Sequence, residues 1–454
     1  MPAKRIVAYV LMLAVLWPHT GDATSNTEEQ ELGKQFALAA RAQLPFVDDV
    51  EVNRYVDRIG QTIVARLGDQ PFTYHFAVVR DPRINAFAVP GGYIYVHAGL
   101  LVAASNDDEV AGVLGHEIAH VNGHHLARQQ EATKPLDYLA LLGLLASAVH
   151  PAIGAGAMAL SAANHLQYSR DFEQEADYAG ARYMQQAGYD PRGMLDFFKK
   201  MLDVQRASPS SSPPYLLSHP LTDARLTNLE AVLRTNQWDS GPRQPTSPEL
   251  ERVQLLTRVR SEPAQDVVAA YRRRADAQPQ DARARYLLGL AYLETGAFEP
   301  ARATLQSAQQ LGFPAVDRDL GRADLRLRQL DKARELLSRA TETNPDDPLG
   351  HLELAKTYEA LNDSAAALRE YERAFQLAPT MEEAHYGFAI LAGRAGRAGD
   401  GFYHLGMAFK LRGEFDKAAS QFEKAEPLLP AGSPQALDAR ANAAELKEFL
   451  RHAH

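Results

Sequence analysis

"GVLGHEIAHVNGHH", residues 112–125, sets four histidines within a few turns of chain. His116, Glu117 and His120 spell H-E-x-x-H. On an α-helix the two histidines stand one turn apart on one face, so both imidazoles reach a single ion. Glu117 lies about 100° round the helix from His116, placed to polarise a water at that ion. The neighbouring Val113, Leu114, Ile118 and Ala119 are apolar, which predicts a helix buried in a core. The pattern predicts a zinc site, with one ion per chain.

Two histidines need a third protein ligand. Glu173, Glu175, His124 and His125 are the candidates. In "SRDFEQEADYAG", residues 169–180, Glu173 and Asp177 are four apart and share a helix face, whereas Glu175 points about 200° away. Glu173 is the favoured ligand and Glu175 the alternative. Asp177 stands behind Glu173, where it could bond a histidine N–H. His124 drifts off the face shared by His116, and His125 lies further round, so both are expected to be bystanders.

Working outward, residues 27–67 carry helical spacing, with Val52, Tyr55, Ile59 and Ile63 on one face. "FTYHFAVV" (72–79) and "INAFAVPGGYIYVHAGLL" (84–101) read as strands, broken at Pro90-Gly91-Gly92. Residues 169–201 read as two further helices, and "SPSSSPPYLLSHP" (208–220) as a loop. "TNQWDSGPRQPTSPE" (235–249) has linker composition, which puts a domain boundary near residue 245 and a connector over 246–262.

From residue 263 to 454 a repeat takes over. Gly289, Gly321, Ala355 and Ala389 recur about every 34 residues, with Ala301, Ala333 and Ala367 after the first three and Pro314, Pro345 and Pro379 closing them. The same small and aromatic pattern returns at Gly406, Phe409, Gly413, Phe415 and Ala418. This is the spacing of tetratricopeptide helix pairs, hence an all-α solenoid. The step from Ala389 to Gly406 is half a period, so one helix pair there is atypical.

Composition bounds the setting. The 454-residue chain has a net charge of −9, which argues against nucleic acid as the main partner. It has no cysteine, so neither disulfides nor a lipid-bearing cysteine are available. Residues 1–23 read as a cleavable secretory signal: Lys4 and Arg5, then "IVAYVLMLAVLW", then small residues before Thr24. An exported, periplasmic protein is expected. The apolar stretch at 138–162 is interrupted at His150-Pro151, so it is either a buried hairpin or a surface in peripheral contact with a membrane.

H-E-I-A-H, followed by S-R-x-x-E-x-E-A-D and preceded by N-A-F-A-x-P-G-G-Y-I, resembles the metalloprotease family of the CAAX prenyl protease and the heat-shock protease HtpX. With a signal and a tetratricopeptide array, the chain looks most like the exported branch of that family, which acts in outer-membrane β-barrel assembly. The resemblance implies an α+β zincin-type metalloprotease domain over 24–245, mostly helical with a small sheet, ahead of the solenoid. It implies His116, His120 and Glu173 as zinc ligands, Glu117 as general base and Asp177 as their support. It implies that Asn85, Ala86, Phe87 and Ala88 form a substrate-pairing edge strand; an ordinary core strand is the other reading. The activity implied is a zinc endopeptidase that degrades misfolded or stalled outer-membrane proteins. Unfolded or misassembled outer-membrane proteins would be its clients and the β-barrel assembly machinery a partner of the repeats. The rival reading is a repeat scaffold with a latent protease.

His219, in "YLLSHPLTDAR" (215–225), is a local turn histidine or a functional one. A loop tethered behind the Glu173 helix can fold back over the cleft. There an imidazole could take the open position on zinc and hold the protease latent, or could stabilise the tetrahedral intermediate.

Overall fold

A computed structural model describes residues 26–132, 169–207, 212–238 and 241–453. The expected signal at 1–23 and the apolar stretch at 138–162 lie outside the described residues. Among the described residues no helix is long and apolar enough to cross a membrane. The chain forms two units that part between Thr257 and Arg258.

The first unit opens with helices α1 (Asn26–Gln43) and α2 (Val50–Val64). Asp49 caps α2, its carboxylate accepting the N–H groups of Glu51 and Val52. Val52, Tyr55, Val56, Ile59 and Ile63 of α2 are wholly buried, at about 1.5–3 kcal/mol for each large aliphatic side chain. Strands β1 (His75–Val79), β2 (Ala86–Val89) and β3 (Tyr93–His97) form a sheet of order β1-β3-β2. β3 runs parallel to β1 and antiparallel to β2. The chain reverses between β2 and β3 at Gly91 and Gly92, whose φ of 77° and 91° suit glycine.

Residues 98–101, expected to prolong a strand, instead begin a short helix, α3 (Ala98–Ala103). Gly99 sets the turn: its N–H donates to Asp81 O at 2.9 Å, and a Cβ there would sit 2.1 Å from Pro82 O. Leu100 and Leu101 are then both buried, which an extended strand with one buried face would not allow.

Helix α4 (Asp107–Asn122) carries H-E-x-x-H and is buried from Asp108 to Val121. Asn106 caps it through the Glu109 N–H. Helix α5 (His125–Ala132) follows after a sharp turn, and α6 (Arg170–Ala187) crosses α4. The crossing depends on a glycine pair: a Cβ on Gly180 would lie 2.9 Å from the Gly115 carbonyl and from His116 N. That contact lays the Glu173 helix directly on the His116 helix. Helix α7 (Arg192–Ala207) packs on α4 as well, where Gly112 leaves room for the Met194 backbone.

Two expected loops are partly helical. Tyr215–Ser218 forms one turn, α8, started by Pro213 and Pro214, before α9 (Asp223–Thr235). The connector expected over 246–262 is mostly a helix, α10 (Pro248–Ser261), whose Leu250, Val253 and Leu256 are buried in the first unit's core. The segment leading to it is pinned: Arg243 pairs with Asp196 at 2.7 Å, Thr246 Oγ1 donates to Ser105 O and Ser247 Oγ to Asp107. Cutting near residue 245 would therefore strip α10 from the core it fills.

The second unit is a run of helices α11 (Ala264–Ala277), α12 (Ala282–Glu294), α13 (Phe298–Gln310), α14 (Asp317–Arg326), α15 (Leu330–Thr343), α16 (Pro348–Ala360), α17 (Ser364–Leu377), α18 (Glu382–Arg394), α19 (Ala398–Leu411), α20 (Phe415–Ala425) and α21 (Pro434–Ala453). The repeat is visible as one contact: a Cβ on Gly289, Gly321 or Gly406 would strike Leu305, Leu337 or Phe422 on the next helix. The half-period step has a physical form. Gly401 of α19 faces the backbone of α18, while Gly406 of the same helix faces α20. Helix α19 thus closes one pair and opens the next. At this junction lies a cavity of about 370 Å3, lined by Phe375, His385, Phe388, Tyr403 and His404 among others.

Candidate metal centre

Four side chains from three segments meet in the first unit: His116 and His120 from α4, Glu173 from α6, and His219 just after α8. All are buried, and one donor atom from each lies within 4.8 Å of the others. His116 Nε2 is 2.9 Å from His120 Nε2, 3.3 Å from His219 Nδ1 and 3.7 Å from Glu173 Oε2. Glu173 Oε1 is 3.3 Å from His120 Nε2 and 2.9 Å from His219 Nδ1. An ion with tetrahedral bonds of roughly 2.0–2.1 Å separates its ligand atoms by about 3.3 Å, so this donor set fits one. Glu117 Oε1 is buried with no aligned hydrogen-bond donor among the described residues, and His219 Nε2 lies 3.6 Å from it. A carboxylate oxygen left bare beside such a cluster is suited to accept a proton from water.

The electrostatics follow from burial working against pairing. Burial holds the His120 imidazole well below its ordinary value, against the pull of Glu173. Burial alone would raise the Glu173 carboxyl, yet His219, His120 and His116 hold it well below the usual range. For His219 burial is again outweighed, here by Glu173 and Glu117, and its value rises.

Asp177 stands where the helical spacing puts it: its Oδ1 is 3.0 Å from His116 Nδ1. Glu175 points away, half exposed, and accepts from Arg128 at 3.2 Å. The expected edge strand is β2, at the margin of the sheet and one residue past Asn85. Ala86, Phe87 and Ala88 are buried, and Asn85 O accepts the His97 N–H at 2.9 Å.

Two residues of the site were not singled out by sequence reasoning. Arg225, on α9, is buried, and its Nε and Nη2 donate to the two oxygens of Asp177 at 2.8 and 2.7 Å. It also donates to Pro220 O at 2.9 Å and pairs with Glu173. It sits six residues after His219 in the quoted "SHPLTDAR", but nothing in that stretch marks a buried arginine. Tyr215 is fully buried, stacked on the His219 ring at 4.5 Å, and its hydroxyl has no hydrogen-bond partner among the described residues.

His125, expected only as a bystander, is not a member of the donor cluster but abuts one that is. The helix ends at Gly123, and His124 takes a φ of 49°, so the chain turns back. His124 then faces Glu29 at 2.9 Å, while His125 is buried with its Nδ1 3.0 Å from His120 Nδ1. Burial pushes the His125 imidazole down to about 4. A helical wheel run past Gly123 could not show this, because the left-handed residue that turns the chain is His124 and not the glycine.

Comparison with known proteins agrees with this geometry. Residues 51–233 match the model of peptidase family M48, and residues 264–312 and 318–382 match tetratricopeptide repeats. The beta-barrel assembly-enhancing protease of Escherichia coli is 28% identical, over 80% of this chain and 83% of its own. A Vibrio cholerae protein provisionally given the same name is 32% identical over 71% of this chain, which spans 62% of that relative's length. The mitochondrial metalloendopeptidase OMA1 of Schizosaccharomyces pombe is 30% identical over 39% of this chain and 52% of its own. The family implies a metal, and the buried histidines and glutamate are a donor set for one. Residues 51–233 of the chain thus form a domain that matches peptidase family M48, and tetratricopeptide repeats follow it.

Proposed function

We propose that this chain is a zinc-dependent endopeptidase of the periplasm that degrades misfolded or stalled outer-membrane proteins and assists β-barrel assembly. The observation that carries the catalytic part is the buried convergence of His116, His120 and Glu173 beside the bare Oε1 of Glu117. Zinc bound by those three residues would supply Lewis-acid polarisation of the scissile carbonyl and activation of water. Glu117 takes a proton from the attacking water and returns it to the leaving amine. Asp177 Oδ1 lies 3.0 Å from the outer nitrogen of His116, where a small turn of the ring would let it accept that N–H and fix the tautomer. Strand β2 offers a sheet edge for an extended substrate, whose backbone would pair with it at little cost in sequence preference.

The names of the bacterial relatives support the assembly role, and the repeats are the part suited to hold clients or the assembly machinery. The Glu117→Gln chain, expressed in cells, tests the reading. It should lose the protease function and retain uncut outer-membrane proteins. An outer-membrane defect fully rescued by Glu117→Gln would favour the scaffold reading instead.

His219 belongs to the same proposal as an inhibitory ligand. Its Nδ1 completes the donor set and its Nε2 faces Glu117, so it stands where substrate and water must enter. His219→Ala should raise peptidase activity or self-cleavage with zinc retained. A fall in kcat would assign it to transition-state stabilisation, and unchanged activity would remove it from both roles.

A further inference from the structure

We propose that His125 is a positioning residue for the metal site, whose Nδ1 accepts the outer N–H of His120, on the side of that ring where Asp177 stands for His116. The proposal rests on the zinc reading above. His120 turns its Nε2 toward Glu173 and His116, at 3.3 and 2.9 Å, which leaves Nδ1 as its outer nitrogen. A histidine that binds an ion through Nε2 carries its proton on Nδ1, and that proton needs an acceptor to hold the ring. The atom that meets His120 Nδ1 is His125 Nδ1, 3.0 Å away. It can accept when the proton of His125 is on Nε2, which lies 3.4 Å from Glu175 Oε2.

The surroundings hold His125 in that pose. Its ring stacks on Phe172 at 4.7 Å and 12°, and meets His120 edge-on at 4.9 Å and 85°. Arg128 covers the Phe172 ring at 4.6 Å and ties down Glu175. Gly123 leaves room for the ring, since a Cβ there would lie 2.4 Å from His125 Nε2 and push it aside. The left-handed turn at His124 aims the next side chain under the metal ligands. Glu175, the rival ligand, lies 3.4 Å from His125 Nε2 without being aligned for a hydrogen bond, so the ring is held chiefly by its stack on Phe172. An uncharged acceptor on one histidine and a carboxylate on the other means that His125 contributes direction more than negative charge.

Two substitutions separate this role from packing. Phe keeps the stack on Phe172 and removes the acceptor; Asn removes the ring and puts Oδ1 close to where Nδ1 stood. Zinc affinity of the full chain, measured by competition with a chelator, should fall about 10–100-fold in His125→Phe. It should stay within about threefold of wild type in His125→Asn, a small fraction of that loss. The absorption spectrum of the cobalt-loaded chain should change in the first variant and not in the second. Wild-type affinity in His125→Phe, or a larger loss in His125→Asn than in His125→Phe, overturns the proposal. Should His125→Phe not fold, a tenfold or greater loss in His125→Asn overturns it and near-wild-type affinity supports it. A wild-type chain that binds no zinc overturns both this role and the site reading beneath it.

Discussion

Replacing Arg225 by Met is expected to destabilise the first unit by about 3–5 kcal/mol, the cost of leaving buried charges without their partner. The guanidinium is 4% exposed, bonds both oxygens of Asp177, pairs with Glu173 and lies over the Phe198 ring at 5.5 Å. Although burial opposes it, the Asp177 carboxyl is held below its ordinary value by His116 and Arg225. Met fills much of the space but supplies no charge, so Asp177 keeps only His116. Arg225→Lys retains the charge and loses the fork, so it should fall between the two. Urea unfolding followed by tryptophan fluorescence measures this, because Trp238 packs on the first unit's core and the other tryptophan is Trp17. A loss under about 1 kcal/mol would mean that the two carboxylates are satisfied without the arginine.

Much of this architecture was legible in the residues because periodicity records which face is buried. Val52, Tyr55, Ile59 and Ile63 mark the inner face of α2, and the small residues of the repeats mark where helices touch. The half-period step was visible at Ala389 and Gly406, but only the structure shows that one helix, α19, serves two pairs. Helix α10 was hidden because it follows a Ser- and Pro-rich segment whose composition matches a linker. That segment is held by hydrogen bonds to residues about 140 positions away, which no local pattern encodes. Residues 98–101 failed as a strand because the deciding contact, Gly99 against Pro82, is a backbone approach with no side-chain signature.

The site divides in the same way. His116, Glu117, His120, Glu173 and Asp177 follow from spacing within two helices, and the structure brings them together. His219 could be singled out because its loop is tethered close by. Arg225, Tyr215 and the placement of His125 against His120 were out of reach, since each depends on how α8, α9 or the turn at His124 folds back on α4 and α6. Charge in a core is legible only once its partner is known.

Metal content of two variants tests the central claim most directly. Glu173 is buried among three imidazoles, while Glu175 is half exposed and bound to Arg128, so the two substitutions should differ completely. Glu173→Gln removes the one carboxylate of the donor set, and a neutral amide is a far poorer partner for zinc. Purified wild-type chain and Glu175→Gln are expected to hold about one zinc each, the number one tetrahedral site takes. Glu173→Gln should hold little or none and show no peptidase activity, as should wild type stripped by a chelator. Zinc retained in Glu173→Gln and lost in Glu175→Gln would contradict the account.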